Sequence, residues 1–564
     1  MIGASCLAIT GSGRALPSAE GHASHVNQNQ NPTSQTEQGY WVVRAYFTDR
    51  EQVARLAGRI EPWEVNTFEG YAVVEVDAAQ YAWLLELGLR VEIDPGLTVE
   101  LTQPRLALPG QTTGIPGYPC YRTVEETYAA AEQLVTDHPE LAAWIDIGDS
   151  WRKTVFGDGS GYDLRVLQLT NQNIQTSKPK LFVLSSIHAR EYAPAELNTR
   201  FAEYLVANYG IDPDVTWLLD DHEIHLLLHA NPDGRERAET GLLWRKNADN
   251  DYCSNTNSRG ADLNRNFAFY WGCCDGSSNV QCDPTYRGPN PSSEPETQAI
   301  QNYIRSIFPD LREDSLSSPA PADASGIFID LHSYGQLVLW PWGFTYDSAP
   351  NHDGLRTLGR KFAYFNEYSP QQAVNLYPTD GTTDDFAYGE LGLAAYTFEM
   401  GTSFFQSCST FESQILPDNL SALIYAARVA RTPYLTPAGP DSLSVNLTPA
   451  KLPQGTITRL TVQIDDTRYA GGETTQNIAT AEFYIDVTPW ITTTLATPYG
   501  LAAVDGAFDE KFEDVYADIA TLPLDYGQHM IFVRGQDAGG NWGPFSAAFL
   551  TIDSPPTFLP VLVK

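Results

Sequence analysis

The chain has 564 residues, which at roughly 100–200 residues per domain predicts about three or four domains. Its 35 Lys and Arg residues against 70 Asp and Glu residues give a formal net charge of −35, which repels phosphate backbones and anionic lipid surfaces. Hydrophobic residues make up 42% of the chain, too much for a disordered protein. These figures argue against a nucleic-acid-binding protein, a membrane-surface protein and a disordered chain.

The amino-terminal part of the sequence predicts a disordered leader followed by a small α+β domain. Residues 1–39 contain a polar stretch without periodicity, and their first ten residues are mildly apolar but lack the basic flank of an export signal. Residues 40–105 alternate strand and helix patterns in a β-α-β-β-α-β order. Residues 106–117, rich in Pro and Gly, predict an exposed linker that a protease can cut near Gln111.

The rest of the chain, from residue 118 on, predicts a large α/β domain and a β-sandwich. Residues 118–435 alternate amphipathic helices with short apolar strands, which indicates a mixed, mostly parallel sheet with helices on both faces. Residues 436–446 read as a second linker, and 447–553 show strand alternation without helices, which predicts an Ig-like β-sandwich. Residues 554–564 form a Pro-rich apolar tail, for which we consider sorting or anchoring. No run of about 18 apolar residues predicts a helix across a bilayer.

The cysteines indicate the cellular compartment in which the protein occurs. Four of the seven, Cys253, Cys273, Cys274 and Cys282, lie close together but lack the paired CxxC spacing of a zinc ribbon. Local disulfides are therefore expected, and they imply an oxidising compartment. We expect a secreted or cell-surface protein.

Two histidines and a glutamate stand where predicted strands end. His188 and Glu191 follow an apolar strand at 181–185, and His332 closes another at 328–332. The pair three positions apart can converge on one cation, although the same pair also occurs in solvent-facing turns. Functional groups in α/β sheets gather where strands end at one edge. Two His and one Glu with an open fourth position form the ligand set of catalytic zinc.

A second group of histidines favours a structural interpretation. His225 and His229 lie on one side of an alternating strand pattern, which places them about 14 Å apart. That separation is too large for a shared metal ion.

Nine motifs follow one another in order across roughly residues 118–435. They are His188-Ala-Arg-Glu191, Asn231-Pro-Asp-Gly234, Leu243-Trp-Arg245-Lys-Asn247, Asp262-Leu-Asn264-Arg265-Asn266, Tyr286-Arg-Gly288, Ser293-Glu-Pro-Glu-Thr297, His332-Ser-Tyr334, Tyr377 with Gly381 and Asp385, and Thr397-Phe-Glu399. In these motifs and their order the chain resembles the zinc carboxypeptidases of the carboxypeptidase A/B type, and most closely the bacterial carboxypeptidase T branch.

The resemblance implies the parts of a zinc exopeptidase. One zinc ion would be bound by His188, Glu191 and His332. Glu399 would act as general base and acid, and Arg245 would stabilise the oxyanion at the scissile carbonyl. The implied substrates are the C-termini of peptides and proteins, and we expect a monomer without a nucleic-acid partner.

The resemblance also implies how a substrate is held. Asn264 and Arg265 would clamp the free terminal carboxylate, because a planar guanidinium matches a carboxylate at two points. Asp262 would hold a ligating His by its second nitrogen. Arg190 and Tyr377 would line the subsites, with Tyr377 closing over the substrate.

Two positions give conflicting signals about the preferred C-terminal residue. Asp384, seven residues after Tyr377, would lie at the floor of the specificity pocket and favour Lys or Arg. Gly343, eleven residues after His332, would leave room for large apolar side chains. We therefore expect dual specificity with a basic preference, the alternative being that Asp384 points out of the pocket and Asp385 is structural.

The other domains and cysteines have implied roles as well. Residues 40–105 resemble the propeptide of this family, which suggests that they cover the cleft until the linker is cut. The resemblance also suggests a Cys253–Cys282 disulfide, and Cys120 and Cys408 flank the catalytic domain and could pair, whereas Cys273 and Cys274 stay unassigned. Two rival functions are a zinc amidohydrolase of the same fold, acting on N-acyl amino acids or cell-wall peptides, and a non-catalytic surface-binding protein.

Overall fold

A computed structural model describes residues 39–102, 106–157, 159–472, 475–490 and 496–554. The predicted leader and carboxy-terminal tail lie outside the described residues, apart from Gly39 and Ser554. Among the described residues, no helix has the length and apolar character needed to cross a membrane.

The first module is a four-stranded antiparallel sheet with its own hydrophobic core. Its elements are β1 (Tyr40–Tyr46), α1 (Arg50–Ala57), β2 (Glu64–Asn66), β3 (Tyr71–Asp77), α2 (Ala78–Glu86), β4 (Arg90–Ile93) and α3 (Pro95–Thr102). The strands lie in the order β2-β3-β1-β4. Val43 and Val74 of the central strands pack with Leu56 of α1 and Leu84 of α2. Alternating apolar positions on the strands thus bury one face against the helices.

The central region is an eight-stranded mixed sheet with surrounding helices. Its strands lie in the order β11-β10-β12-β9-β7-β8-β6-β5, where the pairs β12/β9, β9/β7 and β7/β8 are parallel. The elements are α4 (Val124–Asp137), β5 (Ala142–Asp149), α5 (Trp151–Phe156), β6 (Asp163–Leu169), β7 (Lys180–Ser185), α6 (Tyr192–Asn208), α7 (Pro213–Asp221), β8 (Glu223–Leu227), α8 (Pro232–Ala238), α9 (Pro295–Ile307), β9 (Ile327–His332), β10 (Leu337–Trp340), α10 (His352–Asn366), β11 (Ser369–Gln372), α11 (Thr383–Leu391), β12 (Ala394–Glu399), α12 (Cys408–Thr410) and α13 (Leu416–Val429).

Burial explains why the central strands are continuous apolar runs. Every residue of β9 and all but the first residue of β7 are buried. Successive side chains of a strand point to opposite faces, so this pattern requires a sheet covered on both sides. A π-helical turn over Phe411–Ile415 joins α12 to α13.

The carboxy-terminal region consists of two β-sheets that share one core. Its strands are β13 (Asp441–Thr448), β14 (Lys451–Pro453), β15 (Ile457–Asp465), β16 (Ile478–Ile485), β17 (Tyr499–Gly500), β18 (Ala502–Ala503), β19 (Phe512–Ala520), β20 (Gly527–Asp537) and β21 (Ser546–Asp553). One sheet has the order β13-β15-β19-β18 and the other β14-β21-β20-β16-β17. Val462 and Val515 of the first sheet pack with Phe483 and Ile531 of the second. The Ig-like topology stays a prediction.

The carboxy-terminal sheets are attached to the central region by apolar and charged contacts. Phe532 and Phe545 belong to the same hydrophobic cluster as Trp217 of α7, which ends immediately before β8 begins. Lys361 of α10 lies 3.3 Å from Asp441 of β13, and both side chains are buried. The contact through α7 therefore lies near the amino end of the parallel strand β8, away from the strand ends that carry the site residues.

Both predicted linkers are more ordered than their composition indicates. The Gln111 carboxamide accepts hydrogen bonds from Leu108 N and Gly117 N and donates to Ile115 O at 2.8 Å. Residues 106–110 are a continuous exposed stretch of the first linker, and Thr112 and Thr113 are exposed as well. In the second, β13 begins at Asp441, so only residues 436–440 connect the two regions. Pro, Gly and Ser content predicts loops, but it does not reveal side-chain hydrogen bonds that order them.

Six cysteines form three disulfides in the described part of the chain. Cys253–Cys282 and Cys120–Cys408 pair as expected. The adjacent Cys273 and Cys274, which the sequence left unassigned, are bonded to each other.

Candidate active site

The carboxyl ends of three neighbouring parallel strands bring the predicted site residues together. His188 and Glu191 follow β7, His332 ends β9, and Glu399 ends β12. In the register of β9 and β12, Glu399 is the direct partner of His332. Ligands of α/β sheets bind at this edge, just beyond the carboxyl ends of the strands.

Backbone contacts fix the turn that carries the first two residues. Ala189 N donates a hydrogen bond to Arg245 O at 3.1 Å. The Asn231 amide donates to Ile187 O at 3.1 Å and to Lys246 O at 3.0 Å. The segment around Arg245 is therefore attached directly to the turn that contains His188.

The His188, Glu191 and His332 side chains could hold a metal ion. His188 Nδ1 lies 2.8 Å from Glu191 Oε1 and 3.1 Å from His332 Nδ1, and His332 Nδ1 lies 3.2 Å from Glu191 Oε2. Zinc ligands about 2.0–2.2 Å from the ion lie roughly 3.3–3.6 Å apart in a tetrahedron, only slightly more than these separations. Within the described residues, these three buried side chains form the group with metal-ligand spacing.

The second nitrogen of each histidine is held by a buried carboxylate. His188 Nε2 lies 3.2 Å from Asp262 Oδ1, and His332 Nε2 lies 3.0 Å from Asp330 Oδ2. Carboxylates in this position orient an imidazole so that its other nitrogen faces a metal. The sequence interpretation named Asp262 but missed Asp330, although Asp330 precedes His332 by two residues and so lies on the same face of β9.

The electrostatics of the site favour a cation. Burial opposes ionisation of Glu191, but the His188 and His332 imidazoles outweigh it and hold the pKa of Glu191 well below its usual range. Burial also opposes ionisation of Asp262, where the Arg245 guanidinium and His188 lower the pKa further than burial raises it. Two buried carboxylates are thus kept ionised beside the histidines.

Glu399 is partly buried next to the three candidate ligands. Burial raises the pKa of the Glu399 carboxyl to about 8; His332 lowers it, and Glu191 raises it. A cation between the ligands would lower this pKa, as His332 does, and favour the carboxylate. A carboxyl group with a pKa near neutrality can both accept and donate a proton.

The predicted oxyanion residue Arg245 is held by two groups. Its Nε and Nη2 donate to Asp262 Oδ2 at 3.0 and 2.7 Å. Its remaining terminal nitrogen, Nη1, donates to Glu61 of the first module. Asp262 therefore links Arg245 to His188 and fixes the orientation of both.

Arg265 and Asn264, the residues predicted to bind a terminal carboxylate, differ in how many hydrogen-bond donors they have left for a ligand. Arg265 is buried and donates from Nη1 to Asn264 O at 2.7 Å, whereas its Nε has no hydrogen-bond partner in the described structure. The Asn264 side chain is already engaged, because Oδ1 accepts from Thr383 N at 2.9 Å and Nδ2 lies 3.3 Å from His332 Nε2. Arg265 thus has more donor capacity left for a ligand than Asn264.

A cavity of about 810 Å³ lies beside Glu399. Tyr377, Tyr334 and Phe404 of the central region line it together with Glu61 and Trp63 of the first module. Tyr377 also lies close enough to Glu61 for that carboxylate to raise the tyrosine pKa, after burial as the larger cause. The predicted lid residue is therefore at the site, facing the first module.

Glu61 is a functional candidate that the sequence interpretation missed. Its carboxylate accepts from Arg190 Nη2 with one oxygen and from Arg245 Nη1 with the other. Trp63 packs edge-on against Phe404 at 5.5 Å, and Arg190 lies over the Phe404 ring at 4.0 Å. No motif surrounds Glu61, so only the three-dimensional arrangement identifies it.

The residues predicted to set the substrate preference are Gly343 and Asp384, and both make contacts with neighbouring loop residues. A Cβ on Gly343 would meet Thr379 Oγ1 at 2.4 Å, so Thr379 packs against this glycine. The expected room for large apolar side chains of a substrate stays a prediction. Asp385 accepts from Gly343 N through both oxygens, at 3.0 and 3.1 Å. Asp384 is buried and accepts from Thr382 Oγ1 at 2.7 Å.

Asp384 lacks an ion-pair partner in the described structure. Its Oδ1 also accepts from Asp385 N at 2.9 Å, but Oδ2 has only a long contact of 3.4 Å with Thr397 Oγ1. Burial raises the pKa of Asp384, and the nearby Asp330 raises it further. Such a carboxylate has capacity left for a cationic group.

The second histidine group does not form a metal site among the described residues. His225 is hydrogen-bonded to Tyr303 Oη at 2.9 Å and lies 3.3 Å from Glu223 Oε2. His229 is buried, and burial lowers its pKa. Both are side chains of the core.

Comparison with known proteins identifies relatives of the central region. The family model described as zinc carboxypeptidase matches residues 127–422. A zinc carboxypeptidase of Saccharothrix mutabilis subsp. capreolus is 32% identical over 352 residues, which are 59% of this chain and 75% of that protein. Carboxypeptidase B of Canis lupus familiaris is 30% identical over 346 residues, 58% of this chain and 75% of that protein. The closer likeness to the bacterial carboxypeptidase T branch stays a prediction.

Two solved structures share the fold. The carboxypeptidase A from Helicoverpa armigera has a TM-score of 0.55 at 21% identity, covering 70% of this chain and 98% of that one. The thrombin-activatable fibrinolysis inhibitor has a TM-score of 0.52 at 22% identity, covering 70% of this chain and 99% of that one.

Proposed function

The chain belongs to the zinc carboxypeptidase family and is a metallocarboxypeptidase with one zinc ion; we propose that it releases C-terminal amino acids from peptides, with a preference for Lys and Arg. The observation that supports this proposal is the convergence of His188, Glu191 and His332 at the strand ends beside Glu399. The mixed sheet with its helices is the carboxypeptidase fold. The rival non-catalytic function does not agree with this membership.

The proposed roles combine the resemblance with the position of each residue in the site. His188, Glu191 and His332 would hold the zinc ion, and the chemistry that it would supply there is that of a Lewis acid. Glu399 takes the proton from the attacking water and delivers it to the leaving amine. Arg245 Nη1 donates to the oxygen that becomes negative at the scissile carbonyl.

The exopeptidase character depends on recognition of the free carboxylate. Arg265 is buried with an unused Nε, so a terminal carboxylate would supply the acceptor that the described structure lacks. A planar guanidinium binds a carboxylate at two points. Asn264, whose amide is already engaged, would position Thr383 and His332 rather than bind the substrate directly.

The proposed basic preference is supported by Asp384. Buried carboxylates are normally paired with a cation, and Asp384 has none among the described residues. The cationic side chain of a C-terminal Lys or Arg would be that partner. We also propose that large apolar C-terminal residues are tolerated, as the resemblance at Gly343 implies.

Peptides with different C-termini test the activity and its preference. We expect the enzyme to release only the last residue from a peptide ending in Arg, and to leave the same peptide untouched when its C-terminus is an amide. Asp384→Asn should lower the ratio of kcat/KM for Arg over Phe by about 30-fold or more, the loss typical of a buried charge pair.

The control for this test is Asp347→Asn, since Asp347 is exposed. It should leave the Arg/Phe ratio unchanged. Cleavage of the amidated peptide would contradict the exopeptidase proposal and favour the rival amidohydrolase. An unchanged ratio in Asp384→Asn would remove Asp384 from the pocket.

We also propose that the first module inhibits the enzyme. Glu61 occupies both Arg190 and Arg245, and Trp63 lies against Phe404. A substrate therefore competes with Glu61 for the guanidinium groups. Cutting the exposed stretch at 106–110 would allow the module to leave.

Glu61→Gln tests the inhibition. Truncating one partner of a buried charge pair costs about 2–5 kcal/mol, so the intact chain should become at least about tenfold more active. Glu69→Gln, at an exposed position of the same module, should have no effect. Equal activity of the intact chain, the cut chain and Glu61→Gln would contradict inhibition.

The disulfides support the proposed location. Three disulfides occur in the described part of the chain, and such bonds persist in oxidising compartments. We infer that the enzyme acts outside the cell on peptide substrates.

A further inference from the structure

A loop that contains a disulfide between two adjacent cysteines lies beside the proposed substrate pocket. We call residues 270–278 the vicinal-disulfide loop, after the Cys273–Cys274 bond within it. Cys273 is exposed and Cys274 is partly buried. No role in zinc binding or catalysis involves this loop directly.

The vicinal-disulfide loop surrounds one buried carboxylate, that of Asp380. Gly272 N donates to Asp380 Oδ1 at 3.2 Å, and Cys274 N and Gly276 N donate to Oδ2 at 3.2 and 3.0 Å. The Ser277 hydroxyl donates to Oδ1 as well. All four donors come from this loop, and one of them is the backbone of a bonded cysteine.

The backbone on either side of Asp380 is in close contact with the vicinal-disulfide loop and with the segment of Arg265. A side chain on Gly276 would meet Thr379 C at 2.4 Å and Asp380 N at 2.6 Å. Gly381, whose φ of +66° favours glycine, lies against Arg265 O, which a Cβ would meet at 2.5 Å. Phe267 N donates to Gly381 O at 3.0 Å. Asp380 thus lies where the vicinal-disulfide loop meets the segment that carries Arg265.

Asp380 also lies within the segment that supplies the proposed pocket residues. It follows Tyr377 by three residues and precedes Asp384 by four. The neighbouring Thr379 N donates to Gly343 O at 2.9 Å. The segment 377–385 is therefore attached at Asp380 to one neighbour and at Thr379 to another.

We propose that Asp380 is a positioning residue for the substrate pocket, and that the Cys273–Cys274 bond shapes the loop that supplies its four donors. This inference rests on the proposed roles of Tyr377, Asp384 and Arg265. Asp380 contacts none of the zinc ligands; it acts by fixing the backbone on which the pocket residues stand. A charged acceptor with four donors holds that backbone more strongly than a neutral one.

The disulfide makes this attachment sensitive to reduction. A dithiol reductant gives two electrons and two protons to the Cys273–Cys274 bond, which breaks to two thiols while the reductant becomes a disulfide. The ring that the Cys273–Cys274 bond closes then no longer fixes the position of Cys274 N. The hydrogen bonds from the loop to Asp380 weaken as a result. Oxidation by the reverse exchange restores it.

Hydrogen exchange in the full chain tests the attachment without requiring activity. In Asp380→Asn, peptides covering 270–278 and 376–385 should exchange at least about tenfold faster than in the wild type. The amides of Gly272, Cys274 and Gly276 lose their charged acceptor, and the segment around Asp380 loses its attachment to the loop. Cys273→Ser/Cys274→Ser should change the same two segments. Asp275→Asn, the same chemical change at an exposed position of the loop, should change neither. Unaltered exchange at 376–385 in both variants would overturn the proposal.

Steady-state kinetics separate positioning from general damage. With the full chain cut in its linker, Asp380→Asn and the double serine variant should raise KM for a peptide ending in Arg by about tenfold and leave kcat within about twofold. Should Asp380→Asn fail to fold, Ser277→Ala removes one donor and should raise KM in the same direction. A fall in kcat at unchanged KM would contradict a role in the pocket. If no variant, including the wild type, cleaves the peptide, the proposed function fails while the exchange result still decides the attachment.

Discussion

Replacing Glu399 by Gln is expected to lower kcat by about 10³–10⁴-fold, within the range of a lost general acid–base catalyst and at its upper end. The carboxamide has the same shape but cannot accept and return a proton. KM for a peptide ending in Arg should change little, because Glu399 is not one of the groups proposed to bind the carboxylate or the side chain. The measurement is the initial rate of amino acid release by the chain cut in its linker.

Two observations make this result specific. Zinc content should be the same in Glu399→Gln and the wild type, since His188, Glu191 and His332 are intact. Glu412→Gln, which changes an exposed carboxylate paired with Arg200, should keep full activity. A Glu399→Gln enzyme with more than about a tenth of the wild-type kcat would contradict the role of Glu399 as general base, because such catalysis contributes at least a hundredfold.

Removing zinc is expected to abolish hydrolysis. A chelator should lower the rate to the background level, and one equivalent of zinc should restore it. The folded chain should also lose stability, by about 4 kcal/mol for a metal present at a thousand times its dissociation constant. The thermal midpoint with and without the chelator measures this loss.

Glu191→Gln tests the need for zinc at a single ligand. Its side chain keeps the size of Glu191 but lacks the charge that offsets the metal ion, and the His188 and His332 imidazoles lose their common partner. Zinc added to this variant should not restore the rate. Full activity of the chelated wild type, or of Glu191→Gln without bound zinc, would contradict a metal-dependent mechanism.

The sequence predicts the candidate site well where a role depends on position along one strand. His188, Glu191, His332 and Glu399 end or follow strands, and parallel strands align their carboxyl ends at one edge of the sheet. Their convergence then needs only the correct order of strands. The role of Asp262 is implied by the resemblance alone, because Asp262 precedes a short 3-10 helix and does not follow a strand.

Other features depend on contacts between distant segments that no local pattern encodes. Glu61 reaches Arg190 and Arg245 only because the first module docks at the cleft. Thr379 packs against Gly343 because two loops meet there. The hydrogen bonds to the Asp380 carboxylate likewise come from a loop about a hundred residues away in the sequence. Composition and periodicity describe segments, whereas these contacts belong to the packing between them.

Anomalous diffraction at the zinc absorption edge tests the central claim most directly. Crystals of the full chain should give one strong peak about 2.0–2.2 Å from His188 Nδ1, His332 Nδ1 and a Glu191 oxygen. Such a peak would be absent from crystals of Glu191→Gln grown without added zinc. A zinc peak elsewhere in the wild-type chain, with the His188, Glu191 and His332 side chains turned away from one another, would contradict the account.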